Sequence, residues 1–310
     1  MRSSPHRCAT TAPRPRAVPE HGGVQPAAHH VLLLGGTTVA QALAVDLVDA
    51  PGVRVTSSLP VDRHVPVPPP GEVHRGGFGG PEGLAAWLRE HDVRAVVDAT
   101  SPFSARITST AVAACAAVDV PLLLLDRPAW LPQPGDDWRP VPDLDAAAEV
   151  LRDGPWERAL VAGGARDLGA LGRLERPRLV LRVPRLPRPP LPAGCEVVLR
   201  RRAGDVDGEV ALMVDRGVGV VVTTDSGGPG GAAVLVAARE LDLPVVVVQR
   251  PPAPPGAERA ARAADAASAS AWVRQVLDGG AAGGAVGGAA GGGASLRRPA
   301  APPAPSATGR

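Results

Sequence analysis

Short runs that are apolar throughout alternate along this chain with segments whose apolar residues recur every three or four positions. Val31–Leu34 is the first such run, of strand length, and it leads into Gly35-Gly36-Thr37-Thr38. Ala40, Leu43, Ala44 and Leu47 then fall at i, i+3, i+4 and i+7, one face of a helix, which Asp49-Ala50-Pro51-Gly52 stops. Val53–Val55 predicts a second strand, and Leu84, Trp87 and Leu88 mark a helix. Ala95–Val97 predicts a strand ending at Asp98-Ala99-Thr100. Ile107, Ala111, Ala114, Cys115 and Val118 trace another helical face before a strand over Pro121–Leu125. Strands that are apolar on both faces and separated by helices belong to a parallel sheet covered on both sides. Residues 30–130 are therefore expected to form a doubly wound, Rossmann-like α/β domain.

The pattern then repeats. Asp143–Leu151 predicts a helix, Ala159–Ala162, Leu179–Val183 and Val197–Leu199 strands, and Val206–Arg216 a helix. Val218–Val222 predicts a strand, Ala232–Leu241 a helix, Pro244–Val248 a strand and Ala260–Leu277 a closing helix, with Pro184–Pro192 as a connector. Residues 131–278 are expected to be a second parallel-sheet domain, and a cleft between two such units is a usual place for a ligand. Residues 1–29 hold Arg and Pro without an apolar stretch. Residues 279–310 are Gly/Ala-rich and then Pro/Ala/Ser-rich, so both ends are predicted to be disordered arms.

Composition narrows the chemistry. The 310 residues carry a net charge of only +2, too small a field for nucleic acid to be the main partner. No run approaches about 18 apolar residues, which argues against a membrane span. The three cysteines are widely separated and form no CxxC, and a reducing, cytoplasmic setting and a monomer are expected. The chain contains no Lys, hence no P-loop, and all 33 of its basic residues are Arg. No HExxH, HxH or Cys/His cluster and no GxSxG elbow is present, so neither a metal site nor a hydrolase nucleophile is expected. Chemistry supplied by a bound cofactor is what remains.

Four loops could hold such a cofactor and its substrate. In VLLLGGTTVAQALA, a strand runs through a glycine turn into a helix. That arrangement aims free backbone N–H groups and the positive helix end at one point. Gly35 and Gly36 would let a phosphate approach, and the Thr37 and Thr38 hydroxyls could add hydrogen bonds; a tight turn packed for its own sake is the alternative. At the end of the second strand, Ser57, Ser58 and Arg63 suit a ribose 2′-phosphate better than a bare ribose, which points to NADPH. The same three residues would also serve as loop caps and a solvated charge. VVDATSPFSARI places Asp98 and Thr100 toward the cofactor, and Pro102, Phe103 and Arg106 toward a substrate, with Ser104 as a helix cap. VVVTTDSGGPGG offers Ser226, Gly227 and Gly228 as a second anion nest. The second half also carries Arg182, Arg185, Arg188, Arg200, Arg201 and Arg202, a cationic wall suited to a polycarboxylate, with Arg201 taken as a substrate contact.

Taken together, VLLLGGTTVAQALA, SSLPVDR, GGFGGPEGLAAWLRE, VDATSPFSARI, PLLLLDRPAW and VTTDSGG…ARELDLPVVVVQRPP resemble the precorrin-6A reductase family of cobalamin biosynthesis. The resemblance spans roughly Val31 to Pro252, and the order and spacing of the blocks carry it. It implies two Rossmann-like domains, NADPH and a tetrapyrrole in the cleft between them, and hydride transfer giving dihydroprecorrin-6A. The chain departs from the family pattern at Ser101, where a His is usual, and at Thr224-Asp225, where Lys-Asn is usual. Arg166 stands one place beyond the family's arginine. These changes keep two other readings open: a dinucleotide or tetrapyrrole binder without turnover, and a reductase of another substrate.

Overall fold

The computed structural model describes residues 28–61, 67–162, 168–184, 186–187, 191–200 and 205–282. The first half runs β1 (His29–Leu34), α1 (Thr38–Val48), β2 (Val53–Leu59), β3 (Glu72–Arg75), α2 (Gly80–Glu90), β4 (Val93–Asp98), α3 (Ala105–Val118) and β5 (Leu122–Leu125). The second half runs β6 (Trp138–Val141), α4 (Leu144–Asp153), β7 (Arg158–Ala162), β8 (Arg178–Val183), β9 (Glu196–Leu199), α5 (Val206–Asp215), β10 (Val220–Thr224), α6 (Pro229–Glu240) and β11 (Val245–Val248). It closes with β12 (Ala261–Ala263) and α7 (Ala266–Ala282).

Two six-stranded parallel sheets result, in the orders β12-β5-β4-β1-β2-β3 and β6-β11-β10-β7-β8-β9. The two-domain parallel α/β architecture expected from the apolar runs is the one observed. In β1, Val31 and Leu33 enter the core under α1 and α7, while Leu32 and Leu34 enter the core under α2 and α3. A strand buried on both faces needs an apolar residue at every position, because successive side chains point to opposite sides. In the other sheet Leu160 and Val161 divide in the same way between the two cores.

The closing segment departs from expectation. A single helix over Ala260–Leu277 was expected to complete the second unit. Instead Ala261–Ala263 pairs with Leu123–Leu125 at the edge of the first sheet. The helix starts only at Ala266, and its Ala269, Val273 and Leu277 fill the first core against α1. At the other edge, β6, the first strand after β5, pairs with β11 and so begins the second sheet, within the stretch expected for that unit. The second sheet is thus built from the consecutive strands β6 to β11, whereas the first takes its edge strand β12 from beyond them, and the chain crosses the seam twice, after Leu125 and after Val248. At the ends, His29 already belongs to β1 and α7 continues to Ala282. The rest of the two expected arms lies outside the described residues.

Candidate functional site

In each sheet the order reverses beside one strand. In the first sheet, β1 has β2 on one side and β4 on the other. In the second, β7 is flanked by β8 and β10. Open α/β sheets bind ligands at such switch points, outside the carboxyl ends of the strands.

At the first switch point, a cleft of about 360 Å³ is lined by Gly35, Gly36, Thr37, Thr38 and Ser57, with Val67 and Pro69 opposite. The sequence reason for the turn is specific. Gly36 has φ +105°, which a side chain would strain. The Gly35 amide donates to the Ser58 carbonyl at 3.0 Å, tying the turn to β2. Thr37 is the N-cap of α1: its Oγ1 accepts from the Ala40 amide at 3.1 Å and donates to the Ala99 carbonyl at 2.7 Å. The Thr37 hydroxyl is therefore engaged by the fold and is not a phosphate donor. The first-turn amides of Thr38 and Val39 have no carbonyl within the helix to serve. Thr38 itself is exposed. Ser57 is 1% exposed, and its Oγ has no hydrogen-bond partner although it borders the cleft. A buried hydroxyl without a partner costs about 1–3 kcal/mol, which a bound polar group would relieve. Left-handed glycine, open helix amides and an orphaned serine together fit a nucleotide. Arg63 lies outside the described residues.

The β4–α3 turn does different work from that expected. Asp98 is 5% exposed and its carboxylate is saturated from within. Oδ1 accepts from the Thr100 amide at 3.0 Å and the Thr100 hydroxyl at 2.6 Å; Oδ2 accepts from the Thr108 hydroxyl at 2.7 Å. Asp98 and Thr100 thus hold the loop, and both are too engaged to be primary cofactor ligands. Burial, with Asp98 nearby, pushes the Cys115 thiol up to about 12, so it stays a neutral core group. Ser104 occupies the N-cap of α3 but its side chain makes no capping bond. Ser101 Oγ instead accepts the Phe103 amide at 3.3 Å. Phe103 reaches across and packs against the second core, and Arg106 is exposed on the first turn of α3.

The second switch point faces the exit from β5. Gly227 has φ +63°, and a Cβ there would run into the Pro128 carbonyl and stand 2.7 Å from Arg250 Nη2. Arg250 spans the seam: Nε donates to the Asp225 carbonyl at 3.0 Å, and Nη1 to the Arg127 carbonyl at 2.7 Å and to Asp126 Oδ1 at 3.1 Å. Asp225 Oδ1 accepts the Trp130 amide at 3.1 Å. Ser226, Gly227 and Gly228 are thus brought against the first unit's exit loop, and the seam carries the cluster Asp126, Arg127, Asp225 and Arg250. These four were not among the expected site residues. Their signal was legible as a repeat, since each apolar strand run before the seam ends in a polar residue followed by Arg-Pro: Asp126-Arg127-Pro128 and Gln249-Arg250-Pro251.

The cationic wall is dismantled in part. Arg182 is buried against Glu209, with Nε 2.9 and 3.1 Å from its two oxygens. Arg200 donates to the Gly208 carbonyl at 2.7 Å. Arg185, Arg188, Arg201 and Arg202 lie outside the described residues, as does Arg166. A larger hollow of about 530 Å³, bordered by His29 and Val93, sits at the amino ends of the first sheet, the wrong end for a switch-point ligand. Among the described residues no group of His, Cys, Asp or Glu could hold a metal ion, and no helix is long and apolar enough to cross a membrane.

Residues 30–274 match the model of the family described as precorrin-6x reductase CbiJ/CobK. The chain belongs to the precorrin-6x reductase family. A precorrin-6A reductase of Rhodococcus erythropolis is 42% identical over 222 residues, covering 72% of this chain and 89% of the relative. One of Rhodobacter capsulatus is 38% identical over 222 residues, covering 71% and 88%. A solved structure of CobK precorrin-6A reductase superposes with a TM-score of 0.70 at 35% identity, covering 80% of this chain and 97% of that one. The sequence resemblance and the two-sheet fold are both consistent with these relatives.

Proposed function

We propose that the protein is a cytoplasmic precorrin-6A reductase that uses NADPH, acting as a monomer on a tetrapyrrole held between its two sheets. Membership of the family and the names of its relatives support the reaction. The observation that carries the cofactor half is the cleft at the end of β1, where the orphaned Ser57 hydroxyl meets the left-handed Gly36 turn. Ser57 and Ser58 at the end of β2, with Arg63 following in the sequence and Asp62 beside it, suit a 2′-phosphate better than a bare ribose.

When bound, the dinucleotide supplies a hydride; with one proton, the macrocycle gains two hydrogens and NADPH leaves as NADP⁺. The chain's own contribution is position. The first-turn amides of α1 and the Ser57 hydroxyl hold the nucleotide, and Thr37, Asp98 and Thr100 fix the two turns that frame it. In this reading Pro102, Phe103, Arg106 and the Ser226–Gly228 turn face the substrate, with Phe103 also packed against the second core. Fixing the reacting carbons against each other accounts for much of a hydride-transfer rate.

The test is an assay of the purified full chain with precorrin-6A and either NADPH or NADH, following cofactor absorbance and product mass. NADPH oxidation matched by a product two hydrogens heavier is expected. Saturable NADPH binding without turnover would instead favour the non-catalytic binder that Ser101 and Thr224-Asp225 suggest. Arg63→Glu should weaken NADPH more than NADH; an equal effect on both removes Arg63 from the 2′-phosphate.

A further inference from the structure

Arg127 and Arg250 hold equivalent places, each one residue beyond the end of a strand's polar cap and each followed by Pro, where the chain crosses between the sheets. Both guanidiniums lie over the Gly227-Gly228 stretch that starts α6. Arg250 Nη2 is 2.7 Å from where a Cβ on Gly227 would stand, and Arg127 Nη1 is 3.0 Å from the corresponding point on Gly228. Neither arginine is fully served. Arg127 Nε and Arg250 Nη2 are buried without hydrogen-bond partners, and among the described residues the Arg127 side chain has no carboxylate within ion-pair distance.

The local charges do not balance. Asp126 is shared between Arg250 Nη1 at 3.1 Å and Arg262 Nη1 at 2.9 Å. Asp225 is held by Arg250 and by the Trp130 amide. Three arginines therefore face two engaged carboxylates. Asp98, the third carboxylate of the hollow lined by Asp126, Arg250 and Arg262, is taken up by Thr100 and Thr108; the positive end of α6 adds to the cationic side. Burial above all, and then the neighbouring Arg250, push Arg127 down from its ordinary pKa, against the opposing pull of Asp126. A fold gains nothing by keeping such a charge beside a second one.

We infer that Arg127, braced by Arg250 and the Gly227-Gly228 turn, is the anchor for one carboxylate of the polycarboxylate substrate. This rests on the reductase reading and adds the residue that orients the macrocycle. A planar carboxylate matches the guanidinium edge in bidentate fashion, and it meets the cation without needing a side chain of the protein. The nucleotide phosphates belong elsewhere: β4 and β5 separate the α1 turn from the seam, a displacement of two strands or about 10 Å.

The experiment compares the full-length parent with Arg127→Gln and Arg127→Lys. Loss of one charge-assisted contact should raise the KM for precorrin-6A about tenfold or more in Arg127→Gln. The value of kcat should change little, the Kd for NADPH should be unaltered, and Arg127→Lys should recover part of the loss. Removing an unpaired cation should leave the melting temperature equal or higher. A KM within about twofold of the parent's overturns the assignment. So does a matching rise in the Kd for NADPH, which would give the charge to the cofactor, and so does a melting temperature several degrees lower, which would make Arg127 structural. If the parent does not turn over precorrin-6A, the reductase reading fails by itself, and the anchor is then read from quenching of tryptophan emission by precorrin-6A. Equal binding by parent and Arg127→Gln overturns the anchor, and a parent that does not bind the macrocycle overturns both.

Discussion

Replacing Glu209 by Leu should destabilise the protein by about 3–5 kcal/mol, because it leaves the Arg182 guanidinium buried without its carboxylate. The two side chains are 9% and 2% exposed, so water cannot replace the lost partner. Arg182 donates through Nε to both carboxylate oxygens, at 2.9 and 3.1 Å, and through Nη2 to Oε1. Arg182 comes from β8 and Glu209 from α5, so the pair pins that helix to the sheet. At about 2–4 °C per kcal/mol for a chain of this size, the melting temperature should fall by roughly 6–20 °C. Arg182→Met alone should cost a similar amount. The double variant Arg182→Met/Glu209→Leu removes both charges at nearly constant volume and should recover most of the loss, since apolar replacements of buried pairs are often neutral. Urea unfolding followed by tryptophan fluorescence, closed as a double-mutant cycle, measures the coupling. A loss below about 1 kcal/mol in Glu209→Leu, or a double variant no more stable than the singles, would show that water reaches the pair and that its burial is not what matters.

Three further outcomes are expected. Gly36→Ala must force a side chain into φ +105°, at about 1–2 kcal/mol, and should weaken NADPH binding by calorimetry while leaving the second sheet intact by hydrogen exchange. His30 is buried, and burial above all lowers its pKa. Its Nδ1 lies 2.7 Å from Arg54 Nη2, a donor, so that nitrogen is bare, while Nε2–H donates to Thr56 Oγ1, which donates to Glu72. The His91 carbonyl, 2.9 Å from the same Nδ1, would be served only by a protonated ring that then opposes Arg54. Stability should therefore be complete above about pH 6.5, the unfolded value, and decline as pH falls below it toward the lower folded value. An unchanged slope in His30→Gln between pH 7.5 and 5.5 would assign the decline to other groups. Finally, a chain ending at Pro252 keeps every residue of the nucleotide cleft yet lacks β12 and α7, and so exposes Ala269, Val273 and Leu277's side of the first core. It should lose NADPH binding in calorimetry; retained affinity would show that the returning segment is dispensable.

The nucleotide turn was legible because its determinants are local. A run of four apolar residues, two glycines and an i, i+3, i+4 pattern are all contiguous, and each carries its own conformational preference. The roles of individual hydroxyls were not legible. Thr37 and Ser57 read alike as polar residues near a strand end, yet one is engaged by Ala99 and the other is left without a partner. That difference depends on which strand lies alongside. Asp98 likewise seemed a ligand until Thr100 and Thr108 closed around it. The Arg182 charge was read as available for substrate, whereas its partner stands 27 residues away on a helix that only folding brings near.

By itself the sequence determined that two parallel, doubly covered sheets form, since runs such as Leu122–Leu125 and Val245–Val248 can satisfy all their side chains only inside such a sheet. It could not determine which strand completes which sheet. Trp138–Val141 and Ala261–Ala263 are short and mixed, with no apolar run of their own, so they become strands only because β11 and β5 present unpaired edges to them. The return of β12 to the first sheet sends the chain across the seam a second time, and the two crossings set Arg127 and Arg250 side by side over Gly227-Gly228. Hydrophobic burial is additive along the chain and can be read residue by residue, whereas edge pairing and charge neutralisation are properties of pairs distant in sequence, which tertiary structure alone supplies.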